Sequence, residues 1–233
     1  MFESSGHKYK TFGALAIGAF IGYYVGSYRS KPKETISKNT FYLTDTHEST
    51  WNSVFSTVVD PLEKLYDELC NVPDKEMINI VVKTHGGSLL WCNKLTLLFK
   101  QRTGDVRVFI KDYAHSAGSV LALAADEIFM NRYATMSAID PQVSTFGFIS
   151  YLPLQHLSAM VKDNQGLPSY LKASSEYHRN DMEKIINAKH NVNKIMEVMY
   201  DGVVDHATLF TRDDVERLGV RISEWDGVDI PDE

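Results

Sequence analysis

Two glycine-bearing turns, each set between a β-branched run and an apolar helix-like run, constrain this chain more than any other feature. Met77 to Val82 (MINIVV) leads through Lys83-Thr84-His85-Gly86-Gly87 into Ser88 to Arg102 (SLLWCNKLTLLFKQR). Val106 to Lys111 leads through His115-Ser116-Ala117-Gly118 into the Ala-rich run Ser116 to Ala125, and Glu127 to Met130 follows as another strand. Short β-branched runs bounded by turn residues read as buried strands, and the longer apolar spacings read as helices. Strands alternating with helices predict βαβ units and a mostly parallel sheet, hence an α/β fold. In such a sheet both turns open at the carboxyl ends of their strands, where clefts form.

The chemistry of the turns follows from their small residues. A Gly-Gly pair lets backbone N–H groups approach a ligand oxygen without side-chain obstruction, and an N–H at a helix start adds the positive end of the helix dipole. Together these are the elements of an oxyanion hole. Ser116, with Ala117 and Gly118 behind it, is sterically open to a carbonyl. Taken singly, each turn has a plainer reading: Ser116 as a helix N-cap and Gly86-Gly87 as an ordinary tight turn.

The rest of the chain reads as follows. Thr11 to Tyr28 is a run of 18 residues without charge, flanked by Lys8 and Lys10 before and Arg29, Lys31 and Lys33 after. That length is near the lower limit for a membrane-spanning helix. Gly18, Gly22 and Gly26 fall on one face, and Tyr23, Tyr24 and Tyr28 suit an interface belt. No Ala-x-Ala site follows the run, which favours an uncleaved anchor over a signal peptide. Residues 1–29 are therefore expected to be a single-pass anchor with a short polar start, and residues 30–40 (including SKPKETISKN) a linker. The excess of Lys and Arg after the span places the following domain on the cytoplasmic side.

From residue 41 to 233 the pattern is that of one globular domain. Phe41 to Thr44 is a strand candidate, and Val58 to Cys70 is a helix with Leu62, Leu65 and Leu69 on one face. Pro153 to Lys162 and Asn180 to Tyr200 read as two helices, separated by a stretch that begins with the turn Gly166-Leu167-Pro168. Phe210 to Val220 reads as a short helix capped by Thr211 and stopped at Gly219.

Composition excludes some classes. A net charge of −6 over 233 residues gives no polyanion-binding surface, so nucleic acid is not an expected partner. Cys70 and Cys92 are too few and too scattered for a disulfide framework or a zinc site. His178, His190 and His206 lack metal-ligand spacing with carboxylates, and no phosphate loop or dinucleotide fingerprint is present, so neither metal nor cofactor is expected.

Taken in order, KTHGG, VRVFIKDYAHSAGSVLALAADEIFM, SAIDPQ and DGVVDHATLFTRDDVERLGV resemble the serine dehydrogenase proteinase family of the ClpP/crotonase superfamily. Signal peptide peptidase A and the stomatin-cleaving membrane proteases belong to the same superfamily. The resemblance covers Phe41 to Val220 and implies a repeated βαβ spiral with a peptidase activity. It implies that Ser116 is the nucleophile and that the N–H groups of Gly87 and Ala117 form the oxyanion hole; Gly86 and His85, in the same turn, are the candidates to meet the substrate, with replacement of a rigid residue as the plainer role for His85. Family members carry Pro-Gly-Gly in the first turn, whereas His85 stands before the glycines here. A homo-oligomer is implied as well, with a peptide or membrane-protein segment as substrate.

A serine hydroxyl needs a base, because its own pKa is far too high for attack at neutral pH. ClpP carries a histidine where this chain has Asp140, within a turn that Asp140 helps to shape, so a triad of the ClpP kind is not expected. Signal peptide peptidase A and its relatives use a Ser-Lys dyad, in which a desolvated lysine acts as base. Lys162, 46 residues past Ser116, is the favoured base, with His156, 40 residues past it, as the alternative and Lys172 as a further candidate. His115 adjoins the serine, and neighbours at such a turn point apart, so it is assigned to orientation or packing. Two other readings use the same fold: a catalytically silent scaffold at a membrane, and acyl-CoA chemistry of the crotonase type. The second needs a carboxylate acid/base pair that the matching turns lack.

Overall fold

The computed structural model describes residues 34–35, 39–45, 60–144, 151–153, 167–201, 204–225 and 228–229. The apolar run 11–28 lies outside them, and no helix among the described residues is long and apolar enough to cross a membrane.

The core begins with β2 (Thr40–Thr44), β3 (Ile78–Thr84) and β4 (Val106–Ala114), which lie side by side and parallel. In β3 every residue but Lys83 is buried, as a strand covered on both faces requires. The first half of β4 pairs with β5 (Glu127–Met130) and its end pairs with β6 (Thr135–Ser137), both parallel. Antiparallel β9 (Leu209–Thr211) closes that side against β6. Neither β6 nor β9 is evident in the sequence pattern, since three residues are too few to establish a period.

The helices pack mainly on one face of the sheet. Helix α1 (Pro61–Leu69) starts at Asp60, whose carboxylate accepts from the Leu62 N–H at 2.9 Å, and it buries Leu62, Leu65 and Leu69. Helix α2 (Leu89–Gln101) buries Cys92, Leu95 and Phe99, and α3 (Ala117–Ala124) is buried on nearly every side. On the opposite face Phe109 stacks on Phe129 with ring centroids 4.5 Å apart, and Trp225 meets Phe109 edge-on.

Elsewhere the structure departs from the expected elements. Gly166-Leu167-Pro168 is no turn separating two helices, because Leu167 opens α4 (Leu167–Ile185). Proline fits there, since the first turn has no N–H to lose. The expected helix 180–200 is broken after Ile185. Asn187 donates its backbone N–H to Leu123 O at 2.8 Å and its side-chain amide to Ala125 O at 3.1 Å, which pulls the chain onto the end of α3. Asn191 then caps α5 (Val192–Ile195), which runs on as a π-helix, Met196–Tyr200. Of the expected helix 153–162, Pro153 closes β8 (Tyr151–Pro153), antiparallel to β7 (Gln142–Ser144), and the remainder lies outside the described residues. Within the expected linker, β1 (Glu34–Thr35) pairs in parallel with β10 (Val228–Asp229). Helix α6 (Arg212–Arg217) carries the expected Thr211 cap, here a full capping box with Asp214, and Gly219 takes φ 87° beyond it.

One irregularity sets up the site. Val82 faces Ile110 but Thr84 faces Ala114, so β4 uses four residues where β3 uses two. The bulge brings the ends of β3 and β4 level, and the two glycine-bearing turns leave the sheet next to each other.

Candidate active site

The second turn is held in a conformation that a serine rarely takes. Ser116 has φ 48° and ψ −118°, in a sparsely populated region for a residue with a Cβ. Its N–H donates to Ser137 Oγ at 2.8 Å, the Ser137 N–H donates to Ser119 Oγ at 3.0 Å, and the Ser119 hydroxyl donates to Ala114 O at 2.6 Å. This serine chain ties the turn to β6 and to the end of β4. Ser116 occupies the N-cap position of α3, yet its side chain makes no capping hydrogen bond. The plain reading of Ser116 as a helix cap therefore does not describe it.

The first turn interlocks with the second. A Cβ built on Gly86, where φ is 119°, would stand 2.9 Å from Ser116 Cβ and 3.2 Å from the Ala117 nitrogen. A Cβ on Gly118 would stand 2.7 Å from Thr84 Cγ2. Only glycine permits either approach. The His115 N–H donates to Thr84 O at 2.9 Å, joining the strand ends just before the turns.

Between the turns opens a cavity of about 210 Å³. Ser116, Gly87 and Ala117 line it, with Leu89, Cys92, Val120, Ile139 and Met182 as apolar walls and Asp140, Pro141 and Gln142 along one side. Among the described residues neither the Gly87 nor the Ala117 N–H has an acceptor. Burial pushes the Cys92 thiol up to about 12, so the other nucleophile type in this wall stays protonated at neutral pH.

The remaining sequence candidates fall in different places. Gly86 packs against Ser116 and does not line the cavity. The exposed His85 ring stacks on Tyr113 at 4.5 Å and lies 5.5 Å from the His115 ring, outside the cavity lining. His115 Nε2 is 3.0 Å from Thr135 Oγ1, and burial, followed by the charge of His85, holds its pKa below the ordinary histidine value. Lys162 and His156 lie outside the described residues. Lys172 is exposed on α4 and pairs with Glu176 at 3.9 Å.

No motif or spacing joins Asp140 and His206, which are 66 positions apart. Asp140 is buried in the cavity wall, and its Oδ1 lies 2.7 Å from His206 Nδ1. Gln142 Nε2 donates to the other carboxylate oxygen. Pairing through Nδ1 fixes the ring and leaves Nε2 available to a reacting group. No hydrogen bond joins His206 to Ser116 among the described residues. Nor could any group of three or more His, Cys, Asp or Glu side chains among them hold a metal ion.

The ClpP-like SDH-type serine proteinase family matches residues 53–224. The chain belongs to that family. As an SDH-type proteinase it is similar to the uncharacterized protein MJ1495 of Methanocaldococcus jannaschii, 35% identical over 98 residues that span 42% of this chain and 33% of that protein. The uncharacterized protein MJ0137 of the same organism is 24% identical over 185 residues, 77% of this chain and 63% of that protein. The chain thus spans less than two thirds of the length of either relative. Among solved structures, a serine-to-alanine mutant of the 1510-N membrane-bound stomatin-specific protease aligns with a TM-score of 0.46 and 16% identity over 82% of this chain and 76% of that one. A lysine-to-alanine mutant of that protease in complex with a substrate peptide gives 0.49 and 16% over 81% and 76%. An Asn-to-Asp mutant of ClpP1 from Listeria monocytogenes gives 0.49 and 13% over 84% and 92%.

Proposed function

We propose that this SDH-type proteinase is a membrane-anchored serine peptidase that cleaves peptide bonds through an acyl-enzyme on Ser116. The observation that carries the reading is the Ser116 hydroxyl itself. Its residue is held at φ 48° without a capping bond, at the wall of a cavity lined also by two backbone N–H groups that have no acceptor among the described residues. Backbone strain at a single residue persists where the surroundings over-determine it, and such residues cluster at active sites.

In the proposed reaction Ser116 Oγ attacks the scissile carbonyl carbon and passes its proton to a base. The Gly87 and Ala117 N–H groups receive the oxyanion, the base returns the proton to the leaving amine, and water then hydrolyses the ester. His206, held by Asp140 of the cavity wall though not itself in the lining, is the described residue best suited to be that base, since its Nδ1 is engaged and its Nε2 has no partner among the described residues. Lys162 in a Ser-Lys dyad and His156, both outside the described residues, are the arrangements to compare with it. The apolar cavity walls suit an aliphatic side chain beside the scissile bond. The uncharged run 11–28 supplies the anchor, the cationic residues after it orient the domain to the cytoplasm, and the protein assembles as a homo-oligomer.

The test is labelling of the full-length protein by a fluorophosphonate probe, together with peptide cleavage. Both are expected in the wild type and absent in Ser116→Ala. A wild type that neither labels nor cleaves sinks the proposal. His206→Gln is expected to lower kcat far more than Lys162→Met or His156→Gln, and the reverse ranking would move the base to the lysine or to His156.

A further inference from the structure

The turn from His85 to Ser88 carries four successive backbone N–H groups, and side chains take three of them. The His85 N–H donates to Asp45 Oδ2 at 2.6 Å, and the Gly86 N–H donates to Thr84 Oγ1 at 3.1 Å. The Ser88 N–H donates to Asp60 Oδ2 at 3.0 Å. Only the Gly87 N–H has no acceptor among the described residues, and Gly87 is the member of the turn that lines the cavity beside Ser116.

The direction of that N–H is fixed by the same bonds. The proton of the Thr84 hydroxyl serves two acceptors, Asp45 Oδ1 at 2.7 Å and the Gly86 carbonyl at 3.2 Å. In a trans peptide the carbonyl and the N–H point opposite ways, so a Gly86 carbonyl held toward Thr84 turns the Gly87 N–H away from it. Without these bonds a Gly-Gly unit has more conformational freedom than any other pair, and its peptide plane could rotate. We propose that Asp45 and Asp60 are positioning residues, which grip the turn from both ends and leave the Gly87 N–H as its one donor to a substrate oxygen. The inference rests on the reading of Ser116 as nucleophile. It adds a role for two carboxylates that the reaction itself never touches.

Asparagine variants separate this role from a structural one. Asp60 accepts from both Leu62 and Ser88, one N–H on each oxygen, whereas asparagine has a single carboxamide oxygen for the two. Asparagine is as good a helix N-cap as aspartate, so Asp60→Asn can retain the α1 cap while releasing Ser88. Asp45→Asn likewise can serve Thr84 or His85 but not both as acceptor. Thr84→Val is an independent, nearly isosteric variant that removes the acceptor of Gly86.

The experiment measures kcat, KM and melting temperature of the full-length variants. It also measures affinity for a peptide aldehyde, which forms a tetrahedral adduct with the serine. The expected result is a fall in kcat on the order of tenfold, less than the roughly hundred- to thousandfold that outright loss of an oxyanion donor costs, with KM little changed. Aldehyde affinity should fall in step, while affinity for the uncleaved peptide on a Ser116→Ala background stays constant. An unchanged kcat in Thr84→Val and in whichever asparagine variants fold overturns the proposal, as does a rise in KM alone. If the wild type shows no Ser116-dependent turnover, the nucleophile reading falls and this one with it. Ser116-dependent turnover with unaffected variants removes only the positioning role.

Discussion

The two turns leave neighbouring strand ends and are held by opposite means. At His115-Ser116-Ala117 the chain is fixed by a strained φ at Ser116 itself and by the bond from its N–H to Ser137, 21 positions on, which Ser119 braces in turn. At His85-Gly86-Gly87-Ser88 no residue of the turn but glycine is strained, and the grip comes from Asp45 and Asp60, 40 and 28 positions away. The difference suits what each turn would present. A side-chain nucleophile needs one rotamer origin held rigidly, while a backbone donor needs its peptide plane held. Between them Gly86 packs against Ser116 and Gly118 against Thr84, so neither turn can move without the other.

Gly86→Ala breaks that contact and should have the largest effect. The new Cβ meets Ser116 Cβ and the Ala117 backbone, and φ 119° is unfavourable for alanine, so a loss of about 3 kcal/mol is expected by urea unfolding. Activity should fall with it. Gly87→Ala is the contrast: its Cβ meets the end of the Leu62 side chain at 2.9 Å and Asp60 Oδ1 at 3.1 Å, which can shift, so about 1 kcal/mol is expected. Equal losses in the two variants would mean that the turns are not interlocked through Gly86.

The next effect probes strain in the second turn. Ser116→Gly removes the penalty of φ 48° and should be about 1–2 kcal/mol more stable than Ser116→Ala, although neither labels with a serine probe. If the glycine variant is the less stable of the two, the turn is not strained.

Those two variants concern features of unequal visibility in the sequence. The sheet core was readable because MINIVV and VRVFIK are β-branched runs bounded by turn residues, and Ile78–Val82, Val106 and Val108–Ile110 are buried. Ser116 and the glycines were readable because small residues between a strand and a helix form a local pattern. Asp45, Asp60 and the Asp140–His206 pair were not, since each acts on a partner 28 to 66 positions away and no periodicity links them. The break between α4 and α5 was missed for a related reason: Asn187 binds the end of α3, a tertiary contact that overrides helix propensity.

Ser137→Ala tests the local half of the comparison more gently. It leaves the Ser116 N–H without its acceptor, at a cost of about 1 kcal/mol, and the strained φ should relax. A loss of fluorophosphonate labelling rate that exceeds the loss of stability would show that the serine chain holds the nucleophile as well as the fold.

The smallest effect concerns a ring-to-ring link across both turns. His85, Tyr113 and His115 form a ring cluster, and the His115 pKa is lowered first by burial and then by the charge of His85, against the opposing pull of Asp112 and Asp45. A histidine whose folded pKa lies below its unfolded value of 6.5 stabilises fully above that value and loses stability as pH falls through the window below it. His85→Gln removes the second cause and leaves the first. The His115 pKa measured by NMR titration should therefore rise while staying below the ordinary histidine value, and the acid-side loss of stability should shrink with it. An unmoved pKa would mean that the two histidines do not sense each other, leaving Gly86 and the Thr84 carbonyl as the contacts through which the turns are joined.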